Sequence, residues 1–530
     1  MITKAYGRKT KQLGAFEISS DMVKLAREND SHDTFLNAGR GNPNWINTQA
    51  RLAFARLMEF GVTESRRTLD NGYIAGNVEP TGIVERFKRF FRSSDETDAF
   101  IMESIDYAVQ ELGQDREELI CELTNAVVGN NYPVPSRCLE NIEQILAAFL
   151  QDTLFGDEDL ADETDVFPTE GGTAAICYIF DCLKHNCLLE EGDYIAINTP
   201  IFTPYIQIPR LTNFRFTEIN LNATEESNWH VPDAEFDKLL DPNVKAFFLV
   251  NPTNPGAHAL SEDSLECIRK IVEQRPDLII ITDDVYGTFA KEFKTVYSVA
   301  PRNTLLVYSY SKLYGVTGWR TGLIALNKEN IFDELIAKLP PEKQEVLDFD
   351  YSIVTTEPRE MKFIDRICAD SRSIGLYHTS GLSTPQQAMM ALLSLTHLVV
   401  KADDDYIKKC DEIIARRYHT LMSNLGLPED DSPSNTKYYT LINIFKLAEH
   451  LYGQEFADYF KENCNLMEFI TSLAKNKGVV LMEGGGFSAP TGTLRVSFAN
   501  LPDEAYERLA TRLIDLIREY YEKYVARLNN

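Results

Sequence analysis

The chain is short of basic charge: 53 lysines and arginines face 80 aspartates and glutamates among 530 residues, a formal net charge of −27. Long-range repulsion of that sign works against a nucleic acid or an anionic membrane as partner, although a locally basic pocket can still hold a small anion. Histidine is scarce, and its eight residues (His32, His185, His230, His258, His378, His397, His419 and His450) show no metal-ligand spacing, so no metal is expected. Cysteine occurs nine times at irregular spacings, the pattern of reduced thiols rather than a disulfide framework. Cys177, Cys182 and Cys187 recur every five residues, which spreads them around a helix instead of converging on an ion. Long hydrophobic runs are missing. The longest stretch without Asp, Glu, Lys or Arg is Ser373–Val400, and its apolar part, Ala388–Val400, is too short to cross a bilayer and reads as a buried helix. The opening MITKAYGRKTKQLGAF has no apolar core, so no secretory signal is expected. A Walker loop, a serine elbow and a dinucleotide-binding glycine turn are all lacking in a matching context. These absences predict a soluble cytoplasmic protein.

What is present is ordinary globular composition, 44% apolar and 25% charged, in a chain long enough for about three domains. Two polar stretches, Gly156–Asp165 and Pro428–Thr436, read as solvated loops. Between them, short apolar runs alternate with helical patterns. Tyr194–Asn198, Ala246–Asn251, Leu278–Asp283, Thr304–Tyr310 and Gly322–Leu326 are candidate strands, brief and rich in Val, Ile and aromatics. Ser261–Gln274 reads as a crossover helix capped by Ser261, and Asp503–Leu528 as a long amphipathic helix. Strand and helix in alternation predict an α/β fold with a mainly parallel sheet covered on both faces.

Chemistry gathers at the predicted strand ends. Tyr308-Ser309-Tyr310-Ser311-Lys312 is followed by Gly318-Trp319-Arg320-Thr321-Gly322. An amine desolvated at the end of an apolar strand can act as a nucleophile toward a carbonyl, and Arg320 offers a fork for a phosphate. Alone, that pattern also fits a surface lysine and a structural arginine. However, Asp283 and Tyr286 close the preceding strand, and Asn254 follows the one before in Asn251-Pro252-Thr253-Asn254-Pro255-Gly256. Asn254 to Asp283 and Asp283 to Lys312 are both 29 residues, room for one strand–helix unit each, so successive strand ends can present all three side chains together. Upstream, Gly171-Gly172-Thr173 opens an apolar helix, and small residues there expose backbone N–H groups to a phosphate.

This ordered set resembles the fold-type-I pyridoxal 5′-phosphate (PLP) enzymes of the aspartate aminotransferase superfamily, over about Phe35 to Asn500. The resemblance implies a large domain with a mainly parallel, seven-stranded type of sheet and a small α/β domain built from both chain ends. It implies Lys312 as the amine that holds the cofactor and shuttles a proton. Asp283 would pair with the pyridinium nitrogen, and Tyr286 and Asn254 with the ring's 3-oxygen. Gly171, Gly172, Thr173, Ser309 and Arg320 would hold the phosphate. Phe202, in Pro200-Ile201-Phe202, falls where the family stacks an aromatic ring on the cofactor, though a core phenylalanine fits equally. Tyr132 is similar to the tyrosine that a neighbouring subunit lends to the phosphate, which implies a homodimer or larger homo-oligomer with shared sites. Arg495, in Leu494-Arg495-Val496-Ser497-Phe498, matches the arginine that grips the substrate α-carboxylate.

Within that superfamily the chain is most similar to the aspartate 4-decarboxylases. The phrases that carry this are Leu36-Asn37-Ala38-Gly39-Arg40-Gly41-Asn42-Pro43-Asn44, Asn131-Tyr132-Pro133-Val134-Pro135, Phe202-Thr203-Pro204-Tyr205-Ile206, Asp283-Asp284-Val285-Tyr286-Gly287-Thr288-Phe289 and Gly381-Leu382-Ser383-Thr384-Pro385-Gln386-Gln387. The implied reaction is β-decarboxylation of L-aspartate to L-alanine and CO2 through a ketimine, with side transamination using 2-oxo acids. The alternative is a plain aminotransferase for aspartate or another amino acid. Arg40, between Gly39 and Gly41 at a turn expected to line the substrate pocket, is the candidate for orienting the distal carboxylate; an exposed loop arginine is the other possibility. The expected organisation is an N-terminal segment (1–50) joining the small domain, a helical insertion (51–130) containing Thr97–Leu112, a large cofactor domain (131–384) and a C-terminal small domain (385–530). A PLP-binding transcription regulator is disfavoured, because 34 residues before Phe35 do not accommodate a winged helix.

Overall fold

The computed structural model describes residues 15–28, 35–202, 204–205 and 216–529; His32, Thr203 and Ile206, named above, lie outside them. Seven strands form the central sheet: β1 Thr164–Thr169, β2 Tyr194–Thr199, β3 Thr217–Asn222, β4 Val244–Val250, β5 Ile279–Asp283, β6 Thr304–Ser309 and β7 Gly322–Asn327. Their order is β1–β7–β6–β5–β4–β2–β3. β7 runs antiparallel to both of its neighbours, and every other pairing is parallel. The five anticipated strands appear within two residues of their expected limits. β5, β6 and β7 are buried at every position and β4 at all but Lys245, which is why they read as unbroken apolar runs. β1 and β3 escaped notice because they are the sheet edges. β1 carries Pro168, tolerated only where one side of a strand is unpaired, and β3 is largely polar and exposed.

Helices fill the crossovers. Glu262–Gln274 starts where Ser261 accepts a hydrogen bond from the Ser264 amide, as its capping position predicted. The C-terminal helix Ala505–Leu528 buries Leu509, Leu513 and Leu516 along one stripe. Gln387–Leu398 is buried throughout. That helix (Thr384–Leu398) packs against Gln49–Thr68, Glu96–Glu111, Arg116–Val128 and Glu140–Thr153, on the side of the insertion and away from the C-terminal strands. We therefore propose that the C-terminal unit begins after Leu398, later than the boundary at 384/385 read from sequence.

A second, three-stranded antiparallel sheet joins Tyr439–Asn443, Thr493–Ser497 and Met482–Glu483. The N-terminal strand Leu36–Asn37 pairs in parallel with Val479–Val480, and Ala38 accepts from the Ser497 amide at 2.8 Å. Both ends of the chain thus build the small unit, as expected. Of the two presumed loops, the first ends early: Ala161–Glu163 is a 3-10 turn, and Thr164 and Asp165 already belong to β1. The second is not free in solvent. Asp430 sits 3.1 Å from the His258 imidazole and accepts from the Asn228 amide at 2.6 Å, while the Thr436 amide donates to the Ala257 carbonyl at 2.9 Å. Among the described residues no helix is long and apolar enough to cross a membrane.

Candidate active site

The carboxyl ends of β1, β4, β5 and β6 lie along one edge of the sheet, where open α/β sheets present ligand-binding loops. β5 delivers Asp283 and β6 delivers Ser309 from their last positions. The turn after β4 carries Asn254, and the turn after β1 passes through Gly171 into the helix Gly172–His185. Lys312 follows β6 in a turn gripped from outside: Trp45 Nε1 and the Tyr406 hydroxyl both donate to the Leu313 carbonyl at 2.9 Å, and Arg51 donates to the Gly315 carbonyl at 2.8 Å. Gly315 has φ +60°, and a Cβ there would collide with the Trp45 carbonyl, so the close approach requires glycine.

These elements enclose a cavity of about 270 Å³. Gly41, Gly172, Thr173, Phe202, Asn254, Asp283, Tyr286, Ser309, Lys312, Arg320 and Arg495 line it, eleven of the fourteen residues singled out from sequence. Gly171 stands just behind, with φ +93° and the Arg320 guanidinium where a Cβ would go. Tyr132 is 66% exposed and outside the cavity. Arg40 is exposed and lines an adjoining cavity of about 310 Å³ with Ser19, Ser20, Gly39, Asn42 and Met482, so it does not face the main one. The turn read from sequence is there, but its glycine backbone, not the arginine side chain, forms the wall.

Lys312 Nζ donates to the Gly41 carbonyl at 3.2 Å. Asp283 is fully enclosed; burial pushes its carboxyl up to about 6, against the opposing hydrogen bonds from the Tyr205 hydroxyl and the Val285 amide and the nearby Lys312. Next to it Asp284 is buried outside the cavity lining, and burial pushes its carboxyl up to about 8. Arg495 is 1% exposed, donating to Asn254 Oδ1 and the Gly39 carbonyl at 2.7 Å each. Its Nε has no hydrogen-bond partner among the described residues. Burial lowers its pKa, partly offset by Tyr439, Tyr286 and Tyr438. Tyr205, Ser311, Thr317 and Tyr439 also line the cavity and were missed. Tyr205 stood inside a quoted phrase with nothing to set it apart, and Tyr439 comes from a strand with no motif at all.

A lysine, a buried carboxyl and a helix N-terminus on the carboxyl edge of a sheet with this strand order define a fold-type-I PLP enzyme. Comparison with known proteins places the chain more narrowly. Residues 126–513 match the family described as aminotransferase class I and II, to which this chain belongs, and that family is PLP-dependent. The chain is 41% identical over 526 residues, 98% of each sequence, to a bifunctional aspartate aminotransferase and L-aspartate beta-decarboxylase from a Pseudomonas species. It is 31% identical over 145 residues to a probable aspartate/prephenate aminotransferase of Rhizobium leguminosarum bv. phaseoli, covering 26% of this chain and 35% of that one. Among solved structures, the aspartate aminotransferase from Rhizobium meliloti superimposes with a TM-score of 0.61 at 14% identity, covering 95% of each chain. A double mutant of the Thermus thermophilus enzyme gives 0.59 at 16% identity, covering 96% of this chain and 98% of that one. These structural likenesses speak to the fold.

Proposed function

We propose that the protein is a PLP-dependent aspartate β-decarboxylase, converting L-aspartate to L-alanine and CO2, with aspartate aminotransferase activity alongside. The observation that carries this is the convergence of Lys312, Asp283, Arg320 and Arg495 on one cavity in a chain similar, end to end, to an enzyme with both activities.

The residues present fit the cofactor. Arg320, the hydroxyls of Thr173, Ser309 and Ser311, and the outward N–H groups at the start of Gly172–His185 form an anion cradle, which Gly171 brings close to the guanidinium. Asp283 would face the ring nitrogen; being ionised above about 6, it can keep a proton there. Asn254 Nδ2, 3.4 Å from the Tyr286 hydroxyl, and that hydroxyl itself would hold the ring oxygen. Phe202, half-buried, offers a stacking surface. Once bound, PLP supplies an electron sink for the pair left behind when a bond on the substrate breaks. Lys312 is the one lysine of the cavity lining among the described residues, so its Nζ is assigned both the covalent anchorage and the movement of the substrate proton.

Arg495 has an open edge and no carboxylate partner among the described residues, which suits it to the substrate α-carboxylate. With Arg320 given to phosphate and Arg495 to that carboxylate, the described residues of the lining offer the distal carboxylate of aspartate no further arginine. Strong pairing would stabilise that group in the ground state and slow its departure as CO2; weak pairing leaves it ready to go. Arg40 lines the adjoining cavity, and we assign it an influence on that group only from outside the lining. Tyr132 and Val134 leave apolar surface exposed, and we assign this segment to a homodimer or larger homo-oligomer in which Tyr132 completes a neighbour's phosphate site.

The test is to supply purified holoenzyme with L-aspartate and no keto acid, following proton NMR and CO2 release. Sustained alanine with matching CO2 is expected. A single turnover that resumes only with 2-oxoglutarate and yields glutamate would make this a plain aminotransferase.

A further inference from the structure

Tyr439 sits on Tyr439–Asn443, opposite Ser497 of the antiparallel strand Thr493–Ser497, while Leu441 faces Arg495. Tyr439 and Arg495 are therefore diagonal neighbours on one face, within reach for an aromatic ring. The Arg495 guanidinium lies 4.3 Å from the centroid of the Tyr439 ring and 4.7 Å from that of Phe487 on strand-flanking chain. A buried cation without a carboxylate partner has no ion pair to fix its orientation, so these two rings and the neutral acceptors on Asn254 and Gly39 do so. The hydroxyl of the same Tyr439 meets the Tyr286 hydroxyl at 2.9 Å. It also abuts Gly41, where a Cβ would overlap it, so the glycine leaves it this position. Tyr286 keeps its phenol proton, because burial raises it well above the ordinary tyrosine range.

We propose that Tyr439 is a positioning residue with two separable parts, resting on the function proposed above: its ring orients Arg495 for the substrate carboxylate, and its hydroxyl donates to Tyr286 Oη. Tyr286 is then free to direct its own proton into the cavity. A hydroxyl that accepts a hydrogen bond becomes a stronger donor, so Tyr439 strengthens whatever bond Tyr286 gives to an anionic cofactor oxygen. One side chain thereby links the grip on substrate to the hydrogen bonding of the cofactor ring, although it belongs to the small unit and Tyr286 to the large one.

The two parts come apart by substitution in the holoenzyme. Two quantities are read: the dissociation constant of succinate, a dicarboxylate without the reacting amine, and the pH midpoint of the cofactor absorbance. Tyr439→Phe keeps the ring and loses the hydroxyl. Succinate should bind within about twofold of wild type, and the midpoint should rise by about half a pH unit as the less protonated form loses support. Tyr439→Leu should raise the midpoint similarly and weaken succinate about tenfold. Phe487→Leu removes the opposite ring and should weaken succinate while leaving the midpoint unmoved. An unmoved midpoint in Tyr439→Phe, or wild-type succinate binding in both leucine variants, overturns the proposal. Failure of the underlying function looks different: wild-type protein would then show no absorbance band that Lys312→Ala abolishes.

Discussion

His397 offers a sharp test of how this fold holds the buried helix Thr384–Leu398 in place. It is 7% exposed, at the end of Thr384–Leu398, with Nε2 2.7 Å from Asp152 on Glu140–Thr153 and Nδ1 2.8 Å from Asp404, the cap of Asp405–Leu425. Burial works against the imidazolium, but the two carboxylates outweigh it and lift the group from 6.5 to about 9. That lift corresponds to about 3 kcal/mol of stability. The sign follows from the direction: a histidine raised on folding contributes fully below its unfolded value of 6.5, and the contribution fades as pH climbs through about 9. For 530 residues, an unfolding entropy of roughly 1.1 kcal/mol/K converts 3 kcal/mol into about 3 °C of melting temperature. The perturbation is His397→Gln. Melting scans of apo protein at fixed concentration, at pH steps from 6 to 9.5, should show wild type more stable by about 3 °C at the acid end and the gap closing at the alkaline end. A gap that stays constant across the series would show that His397 is neutral in the folded protein and refute the reasoning.

Three further outcomes concern the cavity and the one adjoining it. Asp283→Asn should keep the fold but lower aspartate turnover by about a hundredfold or more, measured as alanine release at saturating PLP, because the buried site then has no carboxylate to hold a pyridinium proton. Arg495→Lys replaces a fork by a point charge, so KM for aspartate should rise about tenfold or more while kcat changes less, read from initial rates. In Arg40→Ala the ratio of alanine to oxaloacetate formed from aspartate should change; equal losses in both products would exclude a role for Arg40 in partitioning.

Much of this was legible in the chain because its chemistry is local to strand ends. β4, β5 and β6 are buried almost throughout and rich in Val, Ile, Leu and aromatics, so their limits, and hence the positions of Asn254, Asp283 and Lys312, could be read from composition. What stayed hidden depends on contacts between distant segments. Tyr205 reaches Asp283 across 78 residues, and Tyr439 reaches Tyr286 across 153, with no spacing rule to announce either. Arg40 shows the converse limit: the motif marks the turn whose Gly41 lines the cavity, but the Arg40 side chain lines the adjoining one, which spacing does not announce. The edge strands β1 and β3 lacked the apolar signature because Asp165 and Pro168 interrupt the first and the second alternates polar residues with Ile219 and Leu221.

The pairing of Leu36–Asn37 with Val479–Val480, and the bond from Arg495 to the Gly39 carbonyl across 456 residues, bear on how the protein is made. At translation speeds of about 5–20 residues per second, the first strand leaves the ribosome roughly 20–90 seconds before its partner exists. The central sheet has everything it needs by Asn327, so it can consolidate while the amino-terminal segment still waits. A nascent chain stalled or clipped before residue 480 would therefore carry a nearly finished cofactor platform with an orphan strand and no carboxylate grip. Such a product would be a candidate for chaperone capture, and synthesis of the last fifty residues is the step that commits the polypeptide to activity.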